Sequence, residues 1–453
     1  LYSPLYLIET PFVTISYFLP AKKIPQFNFG IFFAGKKYDI VTDLNLNSRT
    51  TLKDKKLQEP MKILMIAPQP FFQPRGTPFS VLGRLYALSE LGHHVDLVTY
   101  HLGQNVSIRN VNIYRVPFVP FINSVKVGPS LAKIPLDILL FVKAIQLLSR
   151  NKYQLLHTHE EAGFFGVFLK YIFRLPHVYD MHSSLPQQLH NFKFSNSQLL
   201  HRIFLALENL TLKTSDAVIT ICPDLYRYVQ KLGIARSLIL IENVVEYARL
   251  FDDPDGLLSD VMDVNRVANR IKVLYSGTLE PYQGLDLLID SAVQVVRQVP
   301  TVLFLIVGGK PDQIAEYREK IRQRGLEDYF VLTGSVSPTL AEQFVEYTDI
   351  LVSPRISGNN TPLKIYSYLR SGKPIVATRL STHTQVLNDS VAVLTAPTPV
   401  EFGRGLLKVL QDRQFGERIG RNAQKLASEK YSYSLYLQRM QKVLKSIQST
   451  KLN

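Results

Sequence analysis

The sequence predicts an α/β protein built from two doubly wound domains that face a common cleft. Three observations carry this. Short, apolar, β-prone runs alternate with helical periods from Met61 to the C-terminus, the pattern of parallel sheets covered by helices. One polar, turn-rich stretch at 252–269 interrupts that alternation. The 453 residues suffice for two cores of ordinary size.

In the first domain, 61–250, strands are expected at 62–67, 94–99, 112–116, 155–158, 177–181, 217–221 and 238–241. Helices are expected between them at 78–91, 135–150, 163–173, 198–214 and 223–232. In the second domain, 251–430, strands are expected at 272–275, 301–307, 330–333, 350–352, 374–377 and 391–394, with helices between. A last helix near 434–449, within 431–453, is placed to cross back to the first domain. Residues 1–60 are rich in Phe, Tyr and Pro, have no sustained period and end in a polar run. They read as an extension, disordered or loosely packed, or as an upstream translation artefact before a domain that starts at Met61.

Composition narrows the function. Cys222 is the single cysteine, so no internal disulfide framework exists and a reducing, cytoplasmic setting is expected. No stretch reaches the roughly 18 to 20 uninterrupted apolar residues of a spanning helix, and 1–20 lacks the shape of a cleavable signal. The net charge of +15 is concentrated in residues 61–250, which hold 19 basic against 11 acidic residues. Such a face attracts phosphorylated substrates or an anionic membrane surface. No helix-turn-helix, RNA-binding or zinc pattern points to nucleic acid. Residues 118–143 mix apolar side chains with Lys126, Lys133 and Lys143. That segment is either an interfacial, peripheral membrane contact on the inner face or a loop and helix packed on the core.

The stretch 353–378, SPRISGNNTPLKIYSYLRSGKPIVAT, carries the most chemistry. Thr361 is suited to cap a helix that Pro362 opens, and Gly372 to end it in a left-handed conformation. Such a start aims free N–H groups and partial positive charge at the loop holding Arg355, Asn359 and Asn360, an arrangement suited to phosphate. Arg75, Gly76, Thr77 and Pro78 repeat that logic after the first strand, and Gly76 admits a ligand close to the backbone. The alternative is that Thr-Pro is simply a good helix start used twice. No dinucleotide glycine fingerprint follows 62–67, and no Walker-type loop is present. His157 and His159 point to one side of a strand, but no further ligand has suitable spacing, so no metal and no cofactor are expected.

In order, MKILMIAP…RGTP, QLLHTHE, VYDMHSS, SDAVITICPDL, VLYSGTLEPYQGLDLLI, FLIVGG, FVLTGSV, DILVSPR and GKPIVAT resemble a family 4 glycosyltransferase of the GT-B fold. The resemblance covers Met61 to the C-terminus. It implies two Rossmann-like domains and transfer of a sugar from a nucleotide-diphosphate sugar to a glycan, lipid or lipid-linked acceptor, with retention of configuration and no metal. By it, Gly76 and Thr77 approach the donor diphosphate or the acceptor, and His182 lies near the transferred sugar. Gly277 and Thr278 belong to the first loop of the donor domain. The loop 333–336 lies beside the base, with Thr333 and Gly334 as its donor-site candidates. Asn360, Thr361, Pro362, Leu363 and Lys364 wrap the diphosphate. The segment 243–246 marks the crossing between domains.

The chain departs from the family at the Glu-x7-Glu motif, where Asn359 and Ser367 stand. The first glutamate contacts the donor sugar and the second the ribose. A basic pair of the earlier loop is replaced by Thr278 and Gln283. Arg355 and Lys364 flank the phosphate loop and are candidates for the missing cations, Arg355 as a bidentate clamp and Lys364 as a point charge. The altered motif leaves two alternatives open: an inactive protein that binds a nucleotide sugar or a partner, and a sugar-nucleotide epimerase.

Overall fold

A computed structural model of the chain describes residues 7–10, 13–16, 30–33, 36–39, 59–74, 76–125, 130–186, 198–244 and 257–450. The chain forms two units, Leu1–Glu59 and Pro60–Asn453. In the first, β1 (Leu7–Thr10) pairs antiparallel with β2 (Val13–Ser16), and β3 (Gly30–Phe33) with β4 (Lys36–Asp39). The remainder of the expected extension lies outside the described residues, as does Arg75.

The second unit opens on β5 (Lys62–Ala67), followed by α1 (Gly76–Glu90), β6 (His94–Thr99) and β7 (Val111–Arg115). Then come α2 (Lys133–Arg150), β8 (Leu155–His159), α3 (Ala162–Phe173), β9 (His177–Met181), α4 (Gln198–Thr214), β10 (Ala217–Thr220), α5 (Pro223–Leu232) and β11 (Leu238–Leu240). These seven strands form one parallel sheet in the order β11-β10-β9-β8-β5-β6-β7. Runs such as KILMIA in β5 are buried nearly throughout, because helices cover both faces of a parallel sheet.

Chain order runs outward from β5 to β7, then returns across it to β8. Right-handed crossovers therefore place α2, α3 and α4 on one face and α1 on the other. Gly163 and Gly166 let α3 press onto the sheet: a β-carbon there would lie 2.6 Å from the Tyr179 ring and 2.3 Å from His177 Nε2.

The expected linker is partly helical. Residues 252–256 lie outside the described set, as do 245 and 246 of the expected crossing. Beyond them run α6 (Leu258–Val261) and α7 (Val264–Val267), whose Leu258, Val261 and Val264 pack against the core. Those apolar residues recur within an otherwise polar stretch, which composition alone reads as linker.

A second sheet follows: β12 (Ile271–Ser276), α8 (Leu285–Gln298), β13 (Val302–Val307), α9 (Pro311–Arg322), β14 (Phe330–Gly334), α10 (Pro338–Tyr347), β15 (Ile350–Ser353), α11 (Lys364–Ser371), β16 (Ile375–Thr378), α12 (Ser381–Thr384), β17 (Val393–Thr395) and α13 (Pro399–Gln411). Its order is β14-β13-β12-β15-β16-β17, again parallel. After α14 (Arg413–Lys430), α15 (Tyr433–Thr450) lies against the first sheet's α1. Tyr436 of α15 accepts a 2.6 Å hydrogen bond at its hydroxyl from Arg84, and Tyr433 donates to Glu90 at 2.8 Å.

Each sheet reverses direction at a switch point, β5/β8 in the first and β12/β15 in the second. Loops at the carboxyl ends of such strands form the usual ligand crevice of a doubly wound sheet.

Candidate functional site

The loops after β5, β8, β12 and β15 enclose a cavity of about 1590 Å3. Gly76, Thr77, His182, Gly277, Thr278, Arg355, Asn359, Asn360, Thr361, Pro362, Leu363, Lys364 and Ser367 line it. Thr333 and Gly334 do not. Thr333 is turned to the backbone of Gly334, its hydroxyl 2.9 Å from that carbonyl, and the other two residues of that expected loop, Ser335 and Val336, reach the cavity.

The phosphate loop differs in detail from its sequence reading. The first regular residue of α11 is Lys364, so Thr361 is not its cap and Pro362 is not its first residue. A tighter turn precedes it: the amides of Ile365 and Tyr366 bond to the carbonyls of Pro362 and Leu363 at 3.0 and 3.2 Å. The helix start still faces the cavity.

Lys364 sits at that start with its ammonium buried and without a hydrogen-bond partner. The Nζ lies 3.7 Å from the centre of the Tyr275 ring, under Gly277, where a β-carbon would approach it to 3.0 Å. Burial, and then the nearby Arg355 charge, hold its pKa well below the ordinary lysine range. A cation at a helix N-terminus also opposes the dipole. An anion in the cavity would relieve all three penalties at once.

Arg355 is not arranged as a bidentate clamp. Its Nε donates to the Ser357 carbonyl at 2.8 Å, and its Nη1 to the Asn360 carbonyl at 3.0 Å and to Thr382 Oγ1 at 3.2 Å. The guanidinium stacks over Tyr282 at 5.0 Å. A tight, irregular loop leaves carbonyls that strand and helix do not satisfy, and Arg355 satisfies them. Gly358 makes room for it: its φ is +121°, and a β-carbon would fall 2.7 Å from Arg355 Nη2.

Asn359 and Asn360 tie this loop to the first sheet's loops. The Asn360 amide donates to the His182 carbonyl at 2.8 Å, and the Asn359 carbonyl accepts from Gln385 at 2.8 Å. Gln385 in turn accepts from the Asp224 amide at 3.1 Å, at the start of α5. Ser367 bonds back to the Lys364 carbonyl at 3.1 Å.

The helix start at α1 is already answered by a carboxylate. Thr77 lies inside the first turn rather than capping it, and donates to Glu160 Oε1 at 3.2 Å. Glu160 therefore offsets part of the positive end of α1. A β-carbon on Gly76 would meet nothing within 4 Å, leaving the backbone open to the cavity.

Behind His182 lies a buried network. His182 Nε2 is 2.9 Å from His159 Nδ1, and Asp180 pairs with Arg84 at 2.8 Å. Burial pushes the His182 pKa down to about 4, so the ring is neutral at ordinary pH. Burial would raise the Asp180 pKa, but Arg84 and the histidines outweigh it and hold the carboxyl well below its usual range. His157, His159 and Asp180 offer ligand atoms within 4.8 Å of one another, yet Arg84 already supplies the positive charge there. His159 is fully buried, and the chain turns at Glu160, with φ +49°, so that Glu160 and Glu161 reach the cavity.

Several lining residues escaped the sequence reading. Asp137 and Lys133 of α2 line the first-sheet side, with Lys133 paired to Glu161. Burial and the Glu161 charge push the Asp137 carboxyl up to about 7. Glu342 of α10 lines the opposite side. The alternation of charge along α2 and α10 gives no local signal for these roles; only the fold brings them to the cavity.

Two family models match: "Glycosyltransferase Family 4" over residues 80–249 and "Glycosyl transferases group 1" over residues 262–426. Between them they cover the second sheet and, apart from β5 and the loop that follows it, the first. The chain belongs to the family 4 glycosyltransferases. It is an enzyme of glycosyl transfer from a nucleotide sugar. An uncharacterized glycosyltransferase of Methanocaldococcus jannaschii is 23% identical over 389 residues, 82% of this chain and 95% of the relative. The phosphatidyl-myo-inositol mannosyltransferase of Mycolicibacterium smegmatis is 23% identical over 78% of this chain and 86% of that protein. Among solved structures, Anabaena HepE in complex with UDP superposes with a TM-score of 0.63 at 20% identity, covering 85% of this chain and all 100% of HepE. Sucrose-phosphate synthase of Thermosynechococcus elongatus gives 0.65 at 16% identity over 86% and 100%. The two parallel sheets are those of the GT-B fold.

Proposed function

We propose that this glycosyltransferase works without a metal and with retention, and that the start of α11 holds the donor diphosphate. The observation that carries this is the buried, unpartnered Lys364 amine at the helix start in the cavity floor. Lys364 and the helix amides supply the positive charge that a divalent ion otherwise would. Arg355 acts as a positioning residue by shaping the loop. The acceptor hydroxyl enters from the side of Glu160 and His182 and attacks the anomeric carbon on the face that the diphosphate leaves. The bond from that carbon to the phosphate oxygen breaks as the new glycosidic bond forms. The acceptor proton passes to the departing oxygen. Neutral His182, anchored by His159, is placed to orient the sugar.

The HepE structure contains UDP, which makes UDP-sugars the first donors to assay. The test is transfer from UDP-, GDP- and ADP-sugars to lipid and glycan acceptors with a chelator present, reading the anomeric configuration of the product by NMR. An inverted product, or loss of turnover on chelation, overturns the reading. Conversion of the donor sugar with no acceptor present would instead favour an epimerase.

A membrane surface is the proposed second partner. Among the described residues, no helix is long and apolar enough to cross a membrane. Yet the neighbouring helices α2, α3 and α4 expose Ile134, Ile138, Val142, Phe168, Tyr171, Ile172, Leu199 and Ile203. Of the acidic residues on these helices, Glu208 is buried and Asp137 lines the cavity, while α2 and α4 also carry Lys143 and Arg202. That combination suits peripheral binding to anionic lipid. Sedimentation with anionic vesicles at low salt tests it, with loss of binding expected for Ile138→Asp and Phe168→Glu. Failure of the unmodified protein to sediment rejects the membrane partner.

A further inference from the structure

We propose that the first-sheet side of the cavity takes an uncharged, hydroxyl-rich ring, a hexose or a cyclitol, as the acceptor, and that the Gln69 side chain reads its hydroxyls. The inference rests on the reading of the cavity as a site of glycosyl transfer and names the acceptor class which that reading leaves open.

Gln69 follows β5 at the switch point of the first sheet and lines the cavity. It is 4% exposed, and among the described residues neither its Oε1 nor its Nε2 has a hydrogen-bond partner. The sequence explains part of this: Pro68 and Pro70 flank it, and neither carries an N–H to offer. The backbone of Gln69 is engaged elsewhere. Its amide donates to the Ala67 carbonyl at 2.9 Å, and its own carbonyl accepts from Thr99 Oγ1 at 2.6 Å and from the Tyr100 amide at 3.4 Å. The loop is thus held without the side chain, and the side-chain amide is left over. A buried amide with both ends unmet is costly unless a ligand answers it. The matching ligand donates and accepts within one small group. Two neighbouring hydroxyls do this, one accepting from Nε2 while the other donates to Oε1.

The charges beside Gln69 limit what else the ligand carries. Tyr100 meets the Gln69 carbonyl at its amide and donates from its hydroxyl to Asp137 Oδ1 at 2.5 Å. Gln69 and Asp137 therefore stand at the two ends of one tyrosine. The charges of Glu161, Lys133 and Glu160 all act on Asp137, and these four line the cavity with Gln69. Three carboxyls thus meet one ammonium, and that ammonium is already paired with Glu161. Burial and Glu161 have already pushed the Asp137 carboxyl up to about 7, so a further negative charge beside it is opposed. Lys364, unpartnered on the second-sheet side, has the opposite preference. The cavity draws a phosphate to one side and repels it from the other, and the repulsion supplies specificity.

The experiment loads the protein with whichever of UDP, GDP and ADP it binds. Saturation-transfer NMR then measures affinities for octyl glucoside, octyl galactoside, octyl mannoside and myo-inositol, against octyl glucuronide and myo-inositol phosphate. The proteins are the unmodified chain, Gln69→Leu, Gln69→Met and Asp137→Asn. At least one neutral ligand should bind about tenfold or more tighter than its anionic counterpart. Both Gln69 variants should weaken that ligand by about tenfold while leaving the nucleotide dissociation constant and the melting temperature in place, because no contact within the protein is lost. Asp137→Asn should narrow the gap between neutral and anionic ligands. Anionic ligands that bind as tightly as neutral ones, a nucleotide-loaded protein that takes no neutral ligand, or a gap unchanged in Asp137→Asn overturns the proposal. So do Gln69 variants that bind the ring as before, or that lose nucleotide affinity and melting temperature together. If no nucleotide binds the unmodified protein, the transfer reading itself falls, and this inference with it.

Discussion

Lys364 is the residue on which the chemistry turns. Burial and then the Arg355 charge hold the pKa of its amine well below the ordinary lysine range. A bound diphosphate favours the charged form, so nucleotide binding should take up a proton. Affinity should then fall as pH rises, since the free protein gives up the proton before the complex does. Titration calorimetry in buffers of different ionisation enthalpy measures that uptake directly, and its absence would contradict the role. At the same scale, Gly358→Ala should weaken nucleotide binding without unfolding the protein. It forces a side chain into φ +121° against Arg355 and so disturbs the loop alone. The sequence made Lys364, Arg355 and the two asparagines legible, because their spacing to the helix start is local. It could not assign Arg355 to its own loop carbonyls, nor set Glu160 against α1, because those contacts join segments far apart in the chain.

At the scale of elements, the parallel strands were legible nearly to the residue, since unbroken β-branched runs have few other uses. The start of α11 was off by two residues. A Thr-Pro pair signals the turn region, but the tightened first turn that follows is set by contacts of the loop with β16 and α12. Helix-to-sheet spacing offers a stability prediction. Gly166→Ala places a methyl group 2.3 Å from the buried His177 ring and should cost about 1–3 kcal/mol, read as a lower midpoint in urea unfolding. An unchanged midpoint would mean that α3 can shift outward without cost. The two short helices α6 and α7 were not legible, because eight helical residues inside a polar stretch carry too few apolar positions to set a period.

The whole molecule is joined by buried polar contacts between distant parts. Arg84 of α1 binds Asp180 of β9, Tyr436 of α15 and the Ile241 carbonyl. Arg84→Met leaves the Asp180 carboxylate buried with only histidines beside it and without its guanidinium partner, at an expected cost of about 3–5 kcal/mol. Tyr436→Phe, which removes one hydroxyl, should cost about 1 kcal/mol, and chemical denaturation separates the two. Acid should also destabilise the protein. Burial lowers the pKa of His177 to about 3, and of His182 and His383 to about 4. An unfolded histidine titrates near 6.5. The unfolded chain therefore binds protons first, so this stability is complete above pH 6.5 and is lost as pH falls toward 4. A melting temperature that stays level from pH 7 to pH 5 would argue against buried neutral rings.

The central claim is that a protein cation, Lys364, takes the place of a metal at the donor diphosphate. Calorimetric titration of UDP into the unmodified protein and into Lys364→Met, each with and without a chelator, tests it most directly. The account predicts binding indifferent to the chelator, accompanied by proton uptake, and weakened about tenfold or more in Lys364→Met. Binding that requires a divalent ion, or that is equal in the two proteins, would contradict it.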